Sequence, residues 1–324
     1  MMFDLKDLYR AQTIVAQALA PTPQISWPLL SERVGAEVWV KHENHLPTGA
    51  FKVRGGLTYL ERCRRDRPSV KGLISATRGN HGQSIAFAGR RYDLPVTIVV
   101  PHGNSTEKNA AMRALGANLV EHGEDFEAAR TEAERLSVLS DLEMVPSFHR
   151  DLVIGVATYA LELFTATPKL DALYVPIGLG SGICGCILAR DLLGLSTEIV
   201  GVQASGAASY ALSLNAGRIV PTQRAETFAD GVATRIPVSA AFEIIKTGVA
   251  RIVTVDDNEI ATAVRAYWAD THNLAEGAGA AALAGLLQER ERMKGQRVAL
   301  VLSGGNIDLE TFSTRVLNRD PQKS

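Results

Sequence analysis

The chain contains few cysteines and has no apolar segment long enough to cross a membrane. Its three cysteines, Cys63, Cys184 and Cys186, are an odd number without the spacing of a disulfide framework. The N-terminus carries acidic residues and no apolar signal-peptide core. No uncharged apolar run reaches the length that a membrane-spanning helix needs. These absences predict a cytoplasmic protein with reduced thiols and no membrane partner.

An excess of charge of one sign is also missing. The net charge is −1 over 324 residues, with 34 basic and 35 acidic side chains. A chain without a basic field has no electrostatic footprint for nucleic acid, so nucleic acid is not expected as a partner. Lysine is scarce, with nine lysines against 25 arginines. A lysine in an unusual setting therefore stands out.

Short apolar strings separated by helical patterns indicate the fold class. Buried strands are predicted at 38–40, 72–75, 96–100, 118–120, 172–175, 198–202, 251–255 and 298–302. Helical patterns are found at 82–92, 105–115, 125–137 and 258–269. Strands without clean polar alternation, separated by helices, are typical of an α/β protein whose parallel sheet is covered on both faces.

Lys52 lies in the segment 46–56, Leu-Pro-Thr-Gly-Ala-Phe-Lys-Val-Arg-Gly-Gly, where a turn runs into an amphipathic helix. Phe51 beside it can partly desolvate the lysine, which favours the neutral amine that forms an imine with a carbonyl compound. A lysine after a turn is more often a solvated surface residue. The segment alone therefore does not decide between the two readings.

A glycine-rich turn, Pro-Ile-Gly-Leu-Gly-Ser-Gly-Ile at 176–183, joins a predicted strand to an apolar helix. Such a turn directs several backbone N–H groups at one point, where the helix dipole favours a phosphate. It is not a Walker A loop, and Ile183 stands where the dinucleotide fingerprint needs its last glycine. A nucleotide-dependent oxidoreductase is therefore an alternative, although the dinucleotide fingerprint typical of such enzymes is incomplete. A tight turn packed on the sheet is the other alternative.

Two further turns follow predicted strands. The first, at 75–83, reads Ser-Ala-Thr-Arg-Gly-Asn-His-Gly-Gln and opens a helix, whose first N–H groups can hold a carboxylate. The second, at 302–308, places Ser303 at the carboxyl end of the last strand. Open α/β sheets bind ligands at that edge. Either turn alone is more often a simple cap or strand end.

Taken together, Lys52, Asn80, the glycine-rich turn and Ser303 resemble the fold-type II pyridoxal-phosphate enzymes, in particular the serine/threonine dehydratase and serine racemase group. The strings Pro-Thr-Gly-Ala-Phe-Lys-Val-Arg-Gly and Gly-Asn-His-Gly-Gln are specific to that group. The segments 227–233 and 276–280 resemble two more of its motifs. The resemblance covers nearly the whole chain.

The resemblance implies a two-domain α/β fold like that of the tryptophan synthase β chain, with parallel-rich twisted sheets flanked by helices. Residues 1–69 and 148–324 would form a large domain that binds the cofactor, and 70–147 a small inserted α/β domain. A homodimer is implied as well. Feedback control by an added regulatory domain is not expected.

Roles for individual residues also follow from the resemblance. Lys52 would hold pyridoxal 5′-phosphate as a Schiff base, with Phe51 packed beside it, and would be the catalytic residue. The other residues expected at the cofactor are Asn80, Gly178, Leu179, Gly180, Ser181, Gly182, Gly231 and Ser303. The residues expected at the amino-acid substrate are Thr77, Arg78, Asn80, His81 and Glu276.

Ser303 bears on the reaction. A hydroxyl facing the pyridine nitrogen, in place of an aspartate, leaves that nitrogen largely neutral, which favours loss of a group from Cβ over transamination. We therefore expect a dehydratase, or ammonia-lyase, that converts a threonine- or serine-like 3-hydroxy-L-amino acid to a 2-oxo acid and ammonia. The alternatives are a racemase or β-replacement enzyme of the same fold, or a non-catalytic ligand-binding protein on it.

Two departures from the family pattern qualify this expectation. Arg78 stands where related racemases carry a serine that acts as a base, and a guanidinium cannot accept a proton. Arg78 either clamps a carboxylate, or points to solvent or pairs with an acidic neighbour. Gln203 and Ser209 stand where metal-dependent relatives have a glutamate and an aspartate. Because Mg²⁺ and Ca²⁺ prefer anionic oxygen ligands, the usual divalent-cation site is expected to be lost or much weakened.

Overall fold

A computed structural model describes residues 2–319 of the chain. The chain forms two compact units, each with its own sheet. The first unit consists of the residues up to Leu19 together with Phe51–Val156, and the second of Ala20–Ala50 together with the residues from Ala157 onward.

Residues 2–319 contain ten strands and fourteen α-helices, besides four short 3₁₀- or π-helical segments. The strands are β1 (Gln24–Ser26), β2 (Glu37–His42), β3 (Leu73–Ala76), β4 (Val96–Val100), β5 (Asn118–Glu121), β6 (Glu143–Met144), β7 (Ala172–Pro176), β8 (Glu198–Ala204), β9 (Arg251–Val255) and β10 (Arg297–Leu302). The helices are α1 (Leu5–Ala16), α2 (Pro28–Val34), α3 (Lys52–Asp66), α4 (Asn80–Arg91), α5 (Thr106–Ala114), α6 (Phe126–Leu139), α7 (Arg150–Ala166), α8 (Ser181–Leu192), α9 (Ser209–Ala216), α10 (Ser239–Gly248), α11 (Asp257–Thr271), α12 (Gly277–Gln288), α13 (Arg290–Met293) and α14 (Leu309–Thr311).

The second unit is built on a six-stranded sheet in the order β1-β2-β10-β7-β8-β9, parallel except for the edge strand β1. Helices cover both of its faces. Successive residues of a strand point to opposite faces. On β8, the backbone of Gly201 lies against Ile183 of α8, whereas Val202 lies against Gly285 of α12. Strand β8 is thus covered by a helix on each face, as a parallel sheet requires.

The first unit contains a smaller parallel sheet in the order β5-β4-β3-β6. Helix α6 packs against β3 and β4, and its Ala129 and Ala133 bury the core around Ile74 and Val99. Helices α3 and α4 pack closely together, because Gly56 of α3 lets the backbone of Ser84 approach. This contact fixes the first residue of α3, Lys52, relative to α4.

The α/β class and the parallel-rich, helix-flanked sheets predicted from the sequence are confirmed. Each of the eight predicted strands overlaps an observed one, and the four helical patterns correspond to α4, α5, α6 and α11. The short strands β1 and β6 were not predicted. Nor was α12, whose glycine and alanine residues show no periodic pattern. The domain limits at 70–147 stay a prediction, since the compact unit that holds the smaller sheet also includes α1 and α3.

The structure also describes the cysteines and the apolar segments. All three cysteines are free and buried, and Cys184 and Cys186 lie inside α8. In the part of the chain that the structure describes, no helix combines the length and apolarity needed to span a membrane.

The packing of α12 on the large sheet can be tested at Gly285. An ideal Cβ there would lie 2.7 Å from Cγ2 of Val202, below the normal contact distance. We expect Gly285→Ala to lower the free energy of unfolding by about 1–3 kcal/mol, as overpacking of a core does. Urea denaturation of the purified variant gives this value.

The matched control is the same substitution in a Val202→Ala background, which removes the obstructing methyl groups. There, Gly285→Ala should be neutral or should stabilise by up to about 1 kcal/mol, because alanine is the better helix former. An equal loss of stability in both backgrounds would contradict the contact between α12 and β8.

Candidate active site

Lys52 opens helix α3 and lies half-buried in the first unit. Its Nζ is 4.9 Å from the centre of the Phe51 ring, so the ring lies beside the amine. The main-chain carbonyl of Lys52 accepts a 2.6 Å hydrogen bond from Ser84 Oγ of α4. The lysine is thus held at its backbone by the neighbouring helix, while its side chain packs on an aromatic face.

The turn at 77–80 leads into α4 and presents the start of that helix. Thr77 is buried, and its Oγ1 accepts a hydrogen bond from the N–H of Gly79 at 3.1 Å. Gly79 is the N-cap, and no side chain caps the helix. Asn80 and His81 are the first two residues of α4. The N–H groups of a first helical turn have no partner within the helix and can bind a carboxylate.

His81 contains an orphaned polar atom next to this turn. Its Nε2 is buried and has no hydrogen-bond partner among the described residues, although the ring as a whole is only half-buried. Burial, and secondly the charge of Lys52, lower the pKa of His81 to about 3. The imidazole is therefore neutral at physiological pH and has one buried nitrogen available to a bound molecule.

Arg78 and Lys108 place two more cationic residues at this turn. The Arg78 side chain is exposed. Lys108 of α5 is buried, and its methylene stem lies against Gly79, where a Cβ would come within 2.8 Å of Lys108 Cδ. Sequence inspection did not single out Lys108. Lys108 lies on the same helical face as the buried Met112, four residues later. That spacing was the sequence pattern that could have indicated a buried lysine.

The glycine-rich turn of the second unit joins the end of β7 to Ser181, the first residue of α8. Gly180 has a φ of +102°, and an ideal Cβ on it would lie 2.8 Å from Cβ of Ala241. The carbonyl oxygen of Gly231 occupies the space that a Cβ on Gly178 would need. Side chains larger than hydrogen are thus excluded at both glycines, and no side chain caps the helix.

Ser303 follows β10 at the same edge of the sheet. Leu300 of β10 pairs with Tyr174 of the parallel strand β7, and each strand ends two residues further on. The buried Ser303 and the glycine-rich turn are therefore neighbours at the carboxyl end of the sheet. Glu276, the buried N-cap residue of α12, donates its N–H to the carbonyl of Gly304 at 3.1 Å.

The predicted site residues thus fall into two sets. The first unit brings together Phe51, Lys52, Thr77, Arg78, Asn80 and His81. The second unit brings together Gly178, Leu179, Gly180, Ser181, Gly182, Gly231, Glu276 and Ser303.

Several supporting residues were missed by sequence reasoning. Ser84 binds the carbonyl of Lys52, as described above. Asp257 accepts hydrogen bonds from Thr227 Oγ1 at 2.5 Å and from the N–H of Phe228 at 3.2 Å, which fixes the segment leading to Gly231. Tyr159 donates to the carbonyl of Gly182 at 3.1 Å. These partners are separated by 23 to 32 positions in the sequence, so no local pattern marks them.

Comparison with known proteins identifies the class. The family model for pyridoxal-phosphate-dependent enzymes matches residues 15–304. The chain belongs to this family.

Within the family, the chain is similar to L-threonine ammonia-lyase of Thermotoga maritima, at 33% identity over 100% of this chain and 80% of that protein. It is also similar to L-threo-3-hydroxyaspartate ammonia-lyase of Saccharomyces cerevisiae, at 30% identity over 97% of this chain and 96% of the relative. The structure of maize serine racemase superimposes with a TM-score of 0.91 at 25% identity, over 98% of each chain. The resemblance to the fold-type II dehydratase and racemase group is therefore confirmed.

The residues present fit the family's cofactor, pyridoxal 5′-phosphate. Gly231 and Ala241 pack against the glycine-rich turn, which leads directly into α8. The N-terminus of a helix is a place suited to a phosphate. The first unit offers an amine at Lys52 and an orphaned nitrogen at His81. Among residues 2–319, no cluster of three or more His, Cys, Asp or Glu side chains could hold a metal ion.

The burial of neutral His81 predicts a pH dependence of stability. Its pKa is lower in the folded protein than the ordinary value of 6.5, so the unfolded chain takes up the proton first as pH falls. Stability is therefore fully present above pH 6.5 and is lost as pH falls towards 3. We expect the cofactor-free protein to lose at most about 1.4 kcal/mol per pH unit from this group between those limits.

Urea denaturation of the wild type and of His81→Asn across pH 7 to 4 measures this effect. His42 also has a lowered pKa, of about 4, because of burial, and contributes in the same direction in both proteins. The variant should therefore show the shallower dependence. Identical pH profiles would contradict a neutral, buried His81.

Proposed function

We propose that the protein is a pyridoxal-phosphate-dependent ammonia-lyase that converts a threonine- or serine-like 3-hydroxy-L-amino acid to a 2-oxo acid and ammonia by β-elimination. The observation that carries this proposal is Ser303, a buried hydroxyl at the carboxyl end of β10. The two ammonia-lyase relatives support it. They are named for two different 3-hydroxy amino acids, threonine and 3-hydroxyaspartate, so the side chain of the substrate stays open.

The roles at the cofactor follow from the family resemblance. Lys52 Nζ would bind its aldehyde carbon, Phe51 would pack beside it, and Asn80 would bind the phenolic oxygen. Gly178, Leu179, Gly180, Ser181 and Gly182 would surround the phosphate, and Gly231 and Ser303 would line the ring. When bound, pyridoxal 5′-phosphate withdraws electrons from the substrate's amino group and so makes the Cα proton acidic.

The remaining chemistry belongs to the side chains and backbone of the chain. The first turn of α4, with Thr77, Asn80 and His81, would bind the substrate carboxylate through N–H groups and neutral donors. A carboxylate fixed there limits rotation about Cα and directs the Cα–H bond. Lys52 Nζ, once released from the cofactor, would accept the Cα proton as a general base. The β-hydroxyl would take up a proton equivalent to the one removed from Cα and leave as water. The released enamine would tautomerise to an imine, and addition of water would give the 2-oxo acid and ammonia.

Ser303 decides between reactions at this point. A serine hydroxyl is neutral and would donate a hydrogen bond to the unprotonated pyridine nitrogen, whereas an aspartate would stabilise a proton on it. With that nitrogen neutral, the cofactor would be a weaker electron sink, and the electrons left at Cα would be used to expel the group on Cβ. Loss of the β-hydroxyl is thereby favoured over transamination.

Racemisation is the second candidate, and the similarity to maize serine racemase favours it. A racemase needs a second base on the opposite face of the substrate. Arg78 stands at the position of that base, and its guanidinium stays protonated. We therefore place racemisation, like β-replacement, behind elimination. A non-catalytic binding protein would not need Lys52, Asn80 and Ser303 together.

We further infer a homodimer in the cytoplasm. The homodimer rests on the family resemblance, and the cytoplasmic location on three free cysteines.

The proposal is tested by Lys52→Ala. The variant should lose the visible absorbance of the bound cofactor and should release ammonia from L-threonine or L-serine at least about a thousandfold more slowly, since it lacks both the covalent attachment and the base. Absorbance spectra and a coupled ammonia assay measure the two effects.

Lys246→Ala is the matched control, because the exposed Lys246 also lies over an aromatic ring, that of Phe242, at 5.9 Å. It should keep both the colour and the activity. Ammonia release by Lys52→Ala at the wild-type rate would refute the assignment. A coloured wild type that releases no ammonia from any 3-hydroxy amino acid would refute elimination while leaving the cofactor in place.

A further inference from the structure

Gln203 and Ser209 are buried in the second unit. By the family resemblance, these are the positions where metal-dependent members would carry carboxylates. The amide of Gln203 is used at both ends. Its Nε2 donates to the carbonyl of Ala207 at 3.2 Å, and its Oε1 accepts from the N–H of Ala211 at 2.9 Å. The side chain thus closes the loop between β8 and α9 and caps the third residue of α9.

Chemistry explains why an amide suits this place. A glutamate here would turn a carboxylate oxygen towards the Ala207 carbonyl, and two acceptors facing each other need a cation or a proton between them. The NH₂ of Gln203 supplies that proton itself. Ser209 acts in the same way, because its Oγ donates to the carbonyl of Thr234 at 2.8 Å. Two carbonyl groups are therefore satisfied by neutral donors.

The next residue, Tyr210, links α9 to the glycine-rich turn. It is fully buried, donates its hydroxyl to the carbonyl of Leu179 at 2.9 Å, and accepts from the N–H of Val238 at 3.0 Å. The C=O and N–H of one trans peptide point in opposite directions. By holding the Leu179 carbonyl, Tyr210 therefore directs the N–H of Gly180 to the other side of the turn, where the phosphate would lie.

We propose that Gln203, Ser209 and Tyr210 form a cation-free brace, which positions the glycine-rich turn for the cofactor phosphate in place of a divalent cation. This inference rests on the cofactor assignment in the proposed function and does not depend on which reaction follows. Cofactor affinity should then be independent of Mg²⁺ and Ca²⁺. Tyr210 is a positioning residue, since it acts through Leu179 and Gly180.

The test measures the dissociation constant of pyridoxal 5′-phosphate by titrating cofactor-free protein, with excess EDTA or with millimolar Mg²⁺ or Ca²⁺. The wild type should bind equally well in all three, within about twofold. Gln203→Glu should bind at least about tenfold more weakly in EDTA, because a buried acceptor loses its donor. In Gln203→Glu/Ser209→Asp, the restored carboxylates should make the affinity depend on the added cation.

Tyr210→Phe should weaken cofactor binding by about tenfold, with or without cations, since two buried main-chain groups lose their partner. It should also shift the ³¹P resonance of the bound cofactor, a change that a general loss of stability would not produce. Tyr267→Phe is its matched control, because Tyr267 is buried in the same unit and its hydroxyl has no partner among the described residues. Gln288→Glu, at an exposed position, controls for the added charge.

Chelation that weakens binding by the wild type would overturn the proposal. So would a Gln203→Glu variant that matches the wild type in EDTA, or a Tyr210→Phe variant that matches Tyr267→Phe. A wild type that binds no pyridoxal 5′-phosphate would overturn the cofactor assignment and the brace together. Tight binding without ammonia release would refute only the proposed reaction.

Discussion

Close approach of one peptide backbone to another is the constraint on which the second unit's site depends. Gly178 accommodates the carbonyl of Gly231, and Gly279 of α12 accommodates the carbonyl of Gly304 beside Ser303. A methyl group at either glycine would push two main-chain segments apart. Because the segments come from distant parts of the sequence, these contacts set the spacing between the glycine-rich turn and the end of β10.

The first unit depends instead on the control of charge. Lys52, Arg78 and Lys108 are cationic, and the positive end of the α4 dipole lies among them. His81 adds no charge, since burial keeps it neutral. The result is a positively charged corner that contains one neutral ring able to make directional hydrogen bonds. Electrostatic attraction and orientation are thus supplied by different residues.

Sequence reasoning succeeded where the signal was local. The strands were readable because each is a short run of β-branched and aliphatic residues, and the glycine-rich turn because it separates such a run from an apolar helix. Tyr210 and Asp257 were not readable, since each acts through hydrogen bonds to residues about 30 positions away. Helix α12 escaped because it is buried all round, so its sequence has no polar face. For Gln203, the sequence predicted that the side chain would not bind a divalent cation. Its two hydrogen bonds could be identified only from the structure.

The amide of Gln203 has an evolutionary consequence. Glutamine and glutamate codons differ by a single base. At this position, one mutation therefore separates a cation-bound loop from a braced one. The order of changes would nevertheless be restricted. A carboxylate that faces the Ala207 carbonyl needs its cation, so an ancestor with both carboxylates could lose the one at position 209 while the glutamate still held the ion. With Gln203 in place, the loop would no longer need an ion to hold it together.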